Sequence, residues 1–503
     1  MAEIRAEIAA MRAAYETQIS ALENRVKELE AERNEDRAIT AQVQKEADAA
    51  QVMAQTAIAE VIQASVAGPS GEAKFTDAQI AQLEETFEKY DVTRGFTFNG
   101  YFRAGFGVDE EGNTMPAFKL PDAGAKFRLG NETETYVETA FGYTFPELEL
   151  PEGTEFSIGF RPSYVVPDNE DSRNSTFSVR EAYAMAKGVW EAQPEASFWA
   201  GQRFYQRWDV HMSDFYYLDM SGYGGGVEDV AIGDFGKLSA AWVGGSIDDL
   251  SGGSEIVDDK VINAKNSIDL RISDIDVPAG TGLIWVNVAH VDDNNSPNGN
   301  NVNIEGGGGL AFGLMHEMEL EGGYNRAMVQ YGFGAAANFR ATEPDFNQVS
   351  SSDPLNPTLV DYDDIWHFRF VEDIVLKPNE RWSIQAAFVY DLFDAGLVDD
   401  SQVEWVSLGV RPIYHFNEYW SLAFEAGVDH TDSEIKDREG ELYKVTIAPQ
   451  ITPGRGYFDR PALRFFVTYA SWSDEFEGEV APDSSYSTDT DGITFGIQAE
   501  AWW

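Results

Sequence analysis

Phe96-Thr-Phe-Asn-Gly-Tyr-Phe-Arg-Ala-Gly-Phe-Gly-Val108 alternates with a period of two. In an extended strand, Phe96, Phe98, Phe102, Phe106 and Val108 fall on one face, and Asn99, Tyr101, Arg103, Gly105 and Gly107 on the other. Bulky apolar side chains on one side and polar or small ones on the other suit a strand standing between lipid and water. The end of the chain repeats the pattern: Ile493, Phe495, Ile497, Ala499, Ala501 and Trp503 oppose Thr494, Gly496, Gln498, Glu500 and Trp502. With such strands at both ends of a long β region, the sheet is expected to close on itself, because lipid tolerates no unpaired edge.

Similar segments recur from 95–108 to 490–503, about eighteen in all, among them 123–146, 302–318, 325–338 and 361–376. An even number returns both ends of the barrel to one side. Short turns such as Gly233-Asp-Phe-Gly236, Pro278-Ala-Gly280, Lys377-Pro-Asn-Glu380 and Phe416-Asn-Glu418 alternate with longer acidic loops near 248–264, 339–360 and 474–489. The expected fold class is therefore an all-β transmembrane barrel of antiparallel strands over 95–503, its short turns periplasmic and its long loops external.

Upstream the periodicity changes. Ile4, Ile8, Met11, Tyr15, Ile19, Leu22, Val26 and Leu29 follow spacings of 4, 3, 4, 4, 3, 4 and 3, a heptad stripe with one irregular step. One helix cannot bury that seam, so residues 1–66 are expected to form a self-associating coiled coil. Gly68-Pro-Ser-Gly71 breaks the helix, and 67–94 reads as a linker with a short helix. That helix starts with a Thr76/Gln79 capping box and a Phe75/Ile80 staple.

Composition narrows the function. The chain has 503 residues, no cysteine, 45 glycines and 65 aromatics, counted as 32 Phe, 21 Tyr and 12 Trp. It has no apolar run long enough for a transmembrane helix. A formal charge of −50 makes nucleic acid and anionic headgroups poor partners. The absent thiols fit an oxidising envelope compartment. Met1-Ala-Glu-Ile-Arg5 opens a helix rather than a secretion signal, so a signal removed before this numbering is the expectation for an exported barrel.

The interior of the barrel is where chemistry is expected. A selective pore needs side chains that meet its solute, apolar platforms for flat faces and hydrogen-bonding groups for polar ones. Alternation brings Tyr101 and Arg103 onto one face, likewise Arg128, Tyr136 and Glu138, with Lys126, Glu132 and Glu134, and turns Trp502 into the lumen. The stretch Trp199-Ala-Gly-Gln-Arg-Phe-Tyr-Gln-Arg-Trp-Asp-Val-His-Met-Ser-Asp-Phe-Tyr-Tyr-Leu-Asp-Met-Ser-Gly222 begins as a strand and becomes a loop too aromatic for an exposed surface. Folded inward, about 207–222 would narrow the cavity. Histidines and aspartates show no metal-ligand spacing, and Asp209, His211 and Ser213 lie too close in sequence for a triad, so neither metal, cofactor nor catalysis is expected.

This loop resembles the constriction loop of maltoporin-type outer-membrane sugar porins, nearly verbatim in Arg203-Phe-Tyr-Gln-Arg207, Asp209-Val-His-Met212 and Asp214-Phe-Tyr-Tyr217. Gly100-Tyr-Phe-Arg103, Phe127-Arg-Leu-Gly-Asn-Glu-Thr-Glu-Thr-Tyr136 and Arg180-Glu-Ala182 extend the resemblance, which covers about 96–503. It implies an aromatic slide of Tyr101, Tyr136, Tyr324, Phe458 and Trp502, and a polar track of Arg103, Arg128, Glu138, Arg180, Arg207, Asp209 and Asp214, with Tyr216 at the narrowest point. It also implies a homotrimer in the outer membrane, passing maltodextrins or related oligosaccharides. The sequence departs from that family in having no tryptophan in 167–175, and Trp208 stands where histidine is common.

Amino-terminal coiled coils resemble those of the sucrose-porin branch, which replaces the arginine, tyrosine and aspartate found here as Arg207, Tyr216 and Asp219. Two other channel readings stay open: a sucrose-type glycoporin, and a general cation-preferring porin with an acidic lumen. The coil is expected in the periplasm, free to meet a partner there or to space the pore from the cell wall.

Overall fold

A computed structural model describes residues 95–503 apart from 147, 149, 168–174, 246–264, 292–293, 296–301, 342–357, 398–400 and 483. The expected coiled coil, linker and short helix lie outside the described residues.

Eighteen strands form one antiparallel sheet. The first six are β1 Phe96–Asp109, β2 Thr135–Thr144, β3 Glu155–Val166, β4 Thr176–Lys187, β5 Ser197–Arg203 and β6 Gly222–Ala231. Next come β7 Lys237–Gly245, β8 Lys265–Val277, β9 Gly280–Val291, β10 Gly307–Leu320, β11 Gly323–Gly334 and β12 Trp366–Asn379. The last six are β13 Trp382–Asp394, β14 Gln402–His415, β15 Trp420–Ser433, β16 Arg438–Ile451, β17 Ala462–Trp472 and β18 Asp491–Trp502. Each pairs with its sequence neighbours, and β1 also pairs with β18 from Tyr101↔Trp502 to Asp109↔Thr494. The sheet is thus a closed barrel with no free edge. Gly100 and Trp503 exchange backbone hydrogen bonds at 3.2 Å, which holds both ends of the barrel on the short-turn side.

The period-two pattern sorts side chains by solvent. Phe106 and Ile497, opposite each other on β1 and β18, are 57% and 60% exposed on the outer face. Trp382, Phe416, Tyr419 and Trp420 gather exposed rings at the short-turn end, the position of an aromatic girdle. The inner face carries buried polar residues such as Asp373, Glu425, Lys444 and Glu500.

Three inward segments fill part of the barrel: 110–134 after β1, 204–221 after β5 and the start of the connection after β11, 335–341. Phe118, Leu120 and Phe127 from the first, Met212, Phe215 and Tyr217 from the second, and Phe339 from the third share one apolar cluster. Phe127 enters a notch in the wall at Gly409 and Gly427, where a Cβ at either glycine would collide with its ring.

The expected strand over 123–146 is corrected here. β2 begins only at Thr135, and 123–134 belongs to the first inward segment, so Arg128 does not alternate with Tyr136 on a wall strand. Its apolar residues Phe127 and Leu129 are buried against the inner wall rather than facing lipid. The segment expected over 302–318 likewise divides: Val302–Glu305 pairs in parallel with Thr358–Asp361 outside the barrel sheet, and β10 starts at Gly307. The strand expected over 361–376 shifts to β12, Trp366–Asn379.

Candidate functional site

A cavity of about 450 Å³ lies inside the barrel at the second inward segment. The wall contributes Tyr101, Arg103, Tyr136, Glu138, Arg180 and Trp502. The second segment contributes Arg207, Asp209, His211, Asp214, Tyr216 and Asp219. Arg128 reaches in from the first segment and Arg340 from the third.

Period two explains the wall residues: Tyr101 and Arg103 share the inner face of β1, and Tyr101 lies opposite Glu138 on one side and Trp502 on the other. The second segment is a short hairpin, Trp208–Val210 against Phe215–Leu218. Its buried Val210, Phe215 and Leu218 anchor it while Asp209, Asp214 and Tyr216 turn to the cavity.

Five rings form an unbroken line. Tyr136 and Tyr101 have centroids 6.1 Å apart, Tyr101 and Trp502 stack at 6.4 Å, Trp502 and Phe458 lie at 6.4 Å, and Phe458 and Tyr324 stack at 6.5 Å with planes 11° apart. The line does not stay on one wall. Phe458, on the connection between β16 and β17, carries it across from β18 to Tyr324 on β11. His211 sets its ring edge against both Trp502 and Phe458, at 5.5 and 5.4 Å. Burial, with the Arg128 guanidinium close by, holds this imidazole well below its ordinary pKa. Neutral, it accepts a hydrogen bond at Nε2 from Arg460 at 3.3 Å.

Charged groups flank the rings. Arg128 donates to the Tyr101 hydroxyl at 2.6 Å and pairs with Glu132 at 2.7 Å and Glu500 at 3.1 Å. Arg103 pairs with Glu134 and, at 3.4 Å, with Asp214. The Tyr136 hydroxyl donates to Glu138, and Arg180 stands 3.9 Å from the same carboxylate. Arg207 is clasped between Phe204 and Tyr216, 3.8 and 4.1 Å from their ring centroids, and lies 4.0 Å from Asp219. Rings, donors and acceptors therefore line one cavity and its continuation.

All the slide, track and constriction residues expected from sequence except Tyr324 and Phe458 line this cavity, and those two continue its ring line. His211 and Arg340 were missed. Arg340 follows Ala335-Ala-Ala-Asn-Phe339, a run that reads as strand continuation; β11 in fact ends at Gly334, whose φ of +63° only glycine adopts at ease. A stretch of alanines buried to a few per cent exposure is the signal that this loop packs inward.

Among solved structures, Pseudomonas aeruginosa OccD3 (OpdP) is similar at 10% identity, covering 81% of this chain and 91% of its own, with a TM-score of 0.41. Acinetobacter baumannii OccAB2 is similar at 9% identity over 82% of this chain and 98% of its own, with a TM-score of 0.43. A family model described as LamB porin matches residues 96–503, which is the whole barrel. With its closed barrel of eighteen strands, the chain belongs to the LamB porin family and is an outer-membrane porin channel.

Proposed function

We propose that this porin is a substrate-selective passive channel for oligosaccharides of the maltodextrin type. The observation that carries the reading is the unbroken ring line Tyr136–Tyr101–Trp502–Phe458–Tyr324, beside charged groups at hydrogen-bonding range of one another. In this reading the five rings stack on pyranose faces in turn. Arg103, Arg128, Glu138, Arg180, Arg207, Asp209 and Asp214 exchange hydrogen bonds with hydroxyls, and Tyr216 sets the bore. A general cation pore needs no ring line, and an acidic bore would not place Arg103, Arg128, Arg180, Arg207 and Arg340 around one cavity.

The assembly proposed with it is a homotrimer whose amino-terminal helices form a periplasmic coiled coil over 1–66, with 67–94 as a linker and a periplasmic partner or spacer role for the coil. Single-channel recording tests the function. Maltohexaose added to one side should interrupt the current in a concentration-dependent way. Unchanged current at saturating sugar would sink the reading in favour of a general pore, and block by sucrose alone would favour the sucrose-type channel.

A further inference from the structure

Arg340 differs from every other arginine of the barrel interior. Among the described residues, each of the others on the inner wall or the inward segments has a carboxylate within 4.0 Å, from Arg411 on Glu425 at 2.5 Å to Arg207 on Asp219 at 4.0 Å. Arg340 has none among the described residues. Its guanidinium is nonetheless exposed to the cavity. Enclosure by the surrounding protein opposes its charged form most, Asp219 favours that form, and Arg369 and Arg207 oppose it.

The backbone beneath it is fixed. Asp219 donates from its N–H to the Phe339 carbonyl at 3.2 Å and accepts from Ala341 N–H at 3.3 Å, so the third inward segment is laced to the second on both sides of Arg340. Lys265 from β8 donates to the Arg340 carbonyl at 2.7 Å and to Asn338 Oδ1 at 2.6 Å. Phe339 stacks on His367 at 4.6 Å and lies under Arg369 at 5.0 Å. A cation is thus held beside the cavity on a braced segment, with no carboxylate within 4.0 Å among the described residues. A group this placed is best satisfied by an acceptor that arrives with the substrate, and an oxyanion suits the planar guanidinium fork better than a hydroxyl.

We propose that Arg340 recognises an oxyanion carried by the sugar, so that the preferred oligosaccharides bear a carboxylate or sulfate group. This rests on the channel being sugar-selective, as proposed above. Arg207, 4.0 Å from Asp219, supplies a second guanidinium to the same cavity.

The test is current block of the full-length protein in planar bilayers by three probes: maltohexaose, maltohexaose oxidised to its terminal carboxylate, and a singly sulfated maltohexaose. At low salt an anionic probe should block at about fivefold lower concentration than the neutral one, the scale of a water-accessible ion pair. High salt should shrink that advantage. Arg340→Gln should bring the ratio of anionic to neutral block to about one, and Arg340→Lys should restore part of it, as expected for an exposed ion pair. The probe that shows the larger advantage identifies the oxyanion. Equal block by all three in the unaltered channel, or an advantage that survives in R340Q, would overturn the proposal while leaving sugar selectivity standing. Absence of block by neutral maltohexaose would instead remove the sugar-channel reading itself; the oxyanion site then stands only if an anionic probe still blocks and R340Q abolishes that block.

Discussion

The barrel wall and the inward segments solve the same problem by different means. Every backbone N–H and C=O needs a partner where water is scarce. On the wall the neighbouring strand supplies it, residue by residue, as in the eleven consecutive pairs from Thr281↔Glu317 to Val291↔Gly307. The inward segments have little ladder, and wall side chains reach across to satisfy them. Lys444 and Thr446 donate to the Leu129 carbonyl at 2.8 and 2.9 Å, Thr468 to Gly130 at 3.0 Å, Arg411 to Met212 at 3.2 Å and Arg369 to Tyr217 at 2.8 Å. Asn131 stitches the first segment to itself by donating to the carbonyls of Phe118 and Phe127. The buried charges of the inner wall are therefore the scaffold of the bore as well as its lining.

The strongest way to break that comparison is to remove the hub of the scaffold. Glu425 is fully buried, pairs with Arg411 at 2.5 Å and Lys444 at 2.8 Å, and accepts from the Leu129 N–H at 3.2 Å. Glu425→Ala strands two buried cations and should cost about 3–5 kcal/mol. Urea unfolding of the protein in lipid vesicles reads that loss. An unshifted midpoint would mean the first segment merely rests on the wall.

Next in size is the proposed gate. Arg207 is held by two rings and lies 4.0 Å from Asp219, so segment side chains line the cavity together with the wall. Replacing Arg207 with Asn and Tyr216 with Asp should raise single-channel conductance severalfold and ease sucrose passage. If conductance stays put, the constriction lies elsewhere and the wall sets the bore.

How much of this was legible follows from the same contrast. A strand advertises its two faces by alternation, so the barrel, the even strand number, and Tyr101, Arg103 and Trp502 as lumen residues were readable one by one. An inward segment has no period. Phe127-Arg-Leu129 happens to alternate, and reading it as strand put Arg128 on the wrong element although in the right cavity. Ala335–Ala337 extended β11 on paper for the same reason. The second segment was readable by its density of aromatics, too many for an exposed loop, and its individual residues through its resemblance to a known loop. Arg340 had no such marker, because what distinguishes it is a missing partner, and partners belong to three-dimensional structure.

A finer test compares a ring borne by the wall with one borne by a connection. Trp502 sits in ladder register with Tyr101, whereas Phe458 is held by ring contacts to Tyr457, Trp502 and Tyr324. Trp502→Ala should forfeit about 0.5–1.5 kcal/mol of stacking, a severalfold rise in the maltohexaose concentration needed for block. Phe458→Ala should cost as much and also loosen the Tyr324 ring, which keeps its hydroxyl bond to Asp373 at 2.8 Å and the Arg326 guanidinium 4.5 Å from its centroid. Equal block constants before and after either change would take that ring out of the sugar path.

The smallest expected effect comes from removing the most residues. The described barrel closes with its own parts: β1 starts at Phe96, its inner side chains are placed by pairing with β2 and β18, and Gly100 locks to Trp503. Each of the three inward segments is anchored by inner-wall residues drawn from within 95–503. The heptad stripe from Ile4 to Leu29, by contrast, is the sequence pattern of the coiled coil proposed above and holds none of the residues that line the cavity. Deleting residues 1–70 should therefore leave conductance, maltohexaose block and resistance to unfolding where they were. Any role of the stripe should appear only in crosslinking or pull-down against periplasmic components, or in the concentration dependence of subunit association, where tethered helices raise each other's local concentration. A truncated protein that conducts normally but no longer discriminates maltohexaose from sucrose would show that the extension takes part in selection, and the division between a self-sufficient barrel and a separate coil would have to be given up.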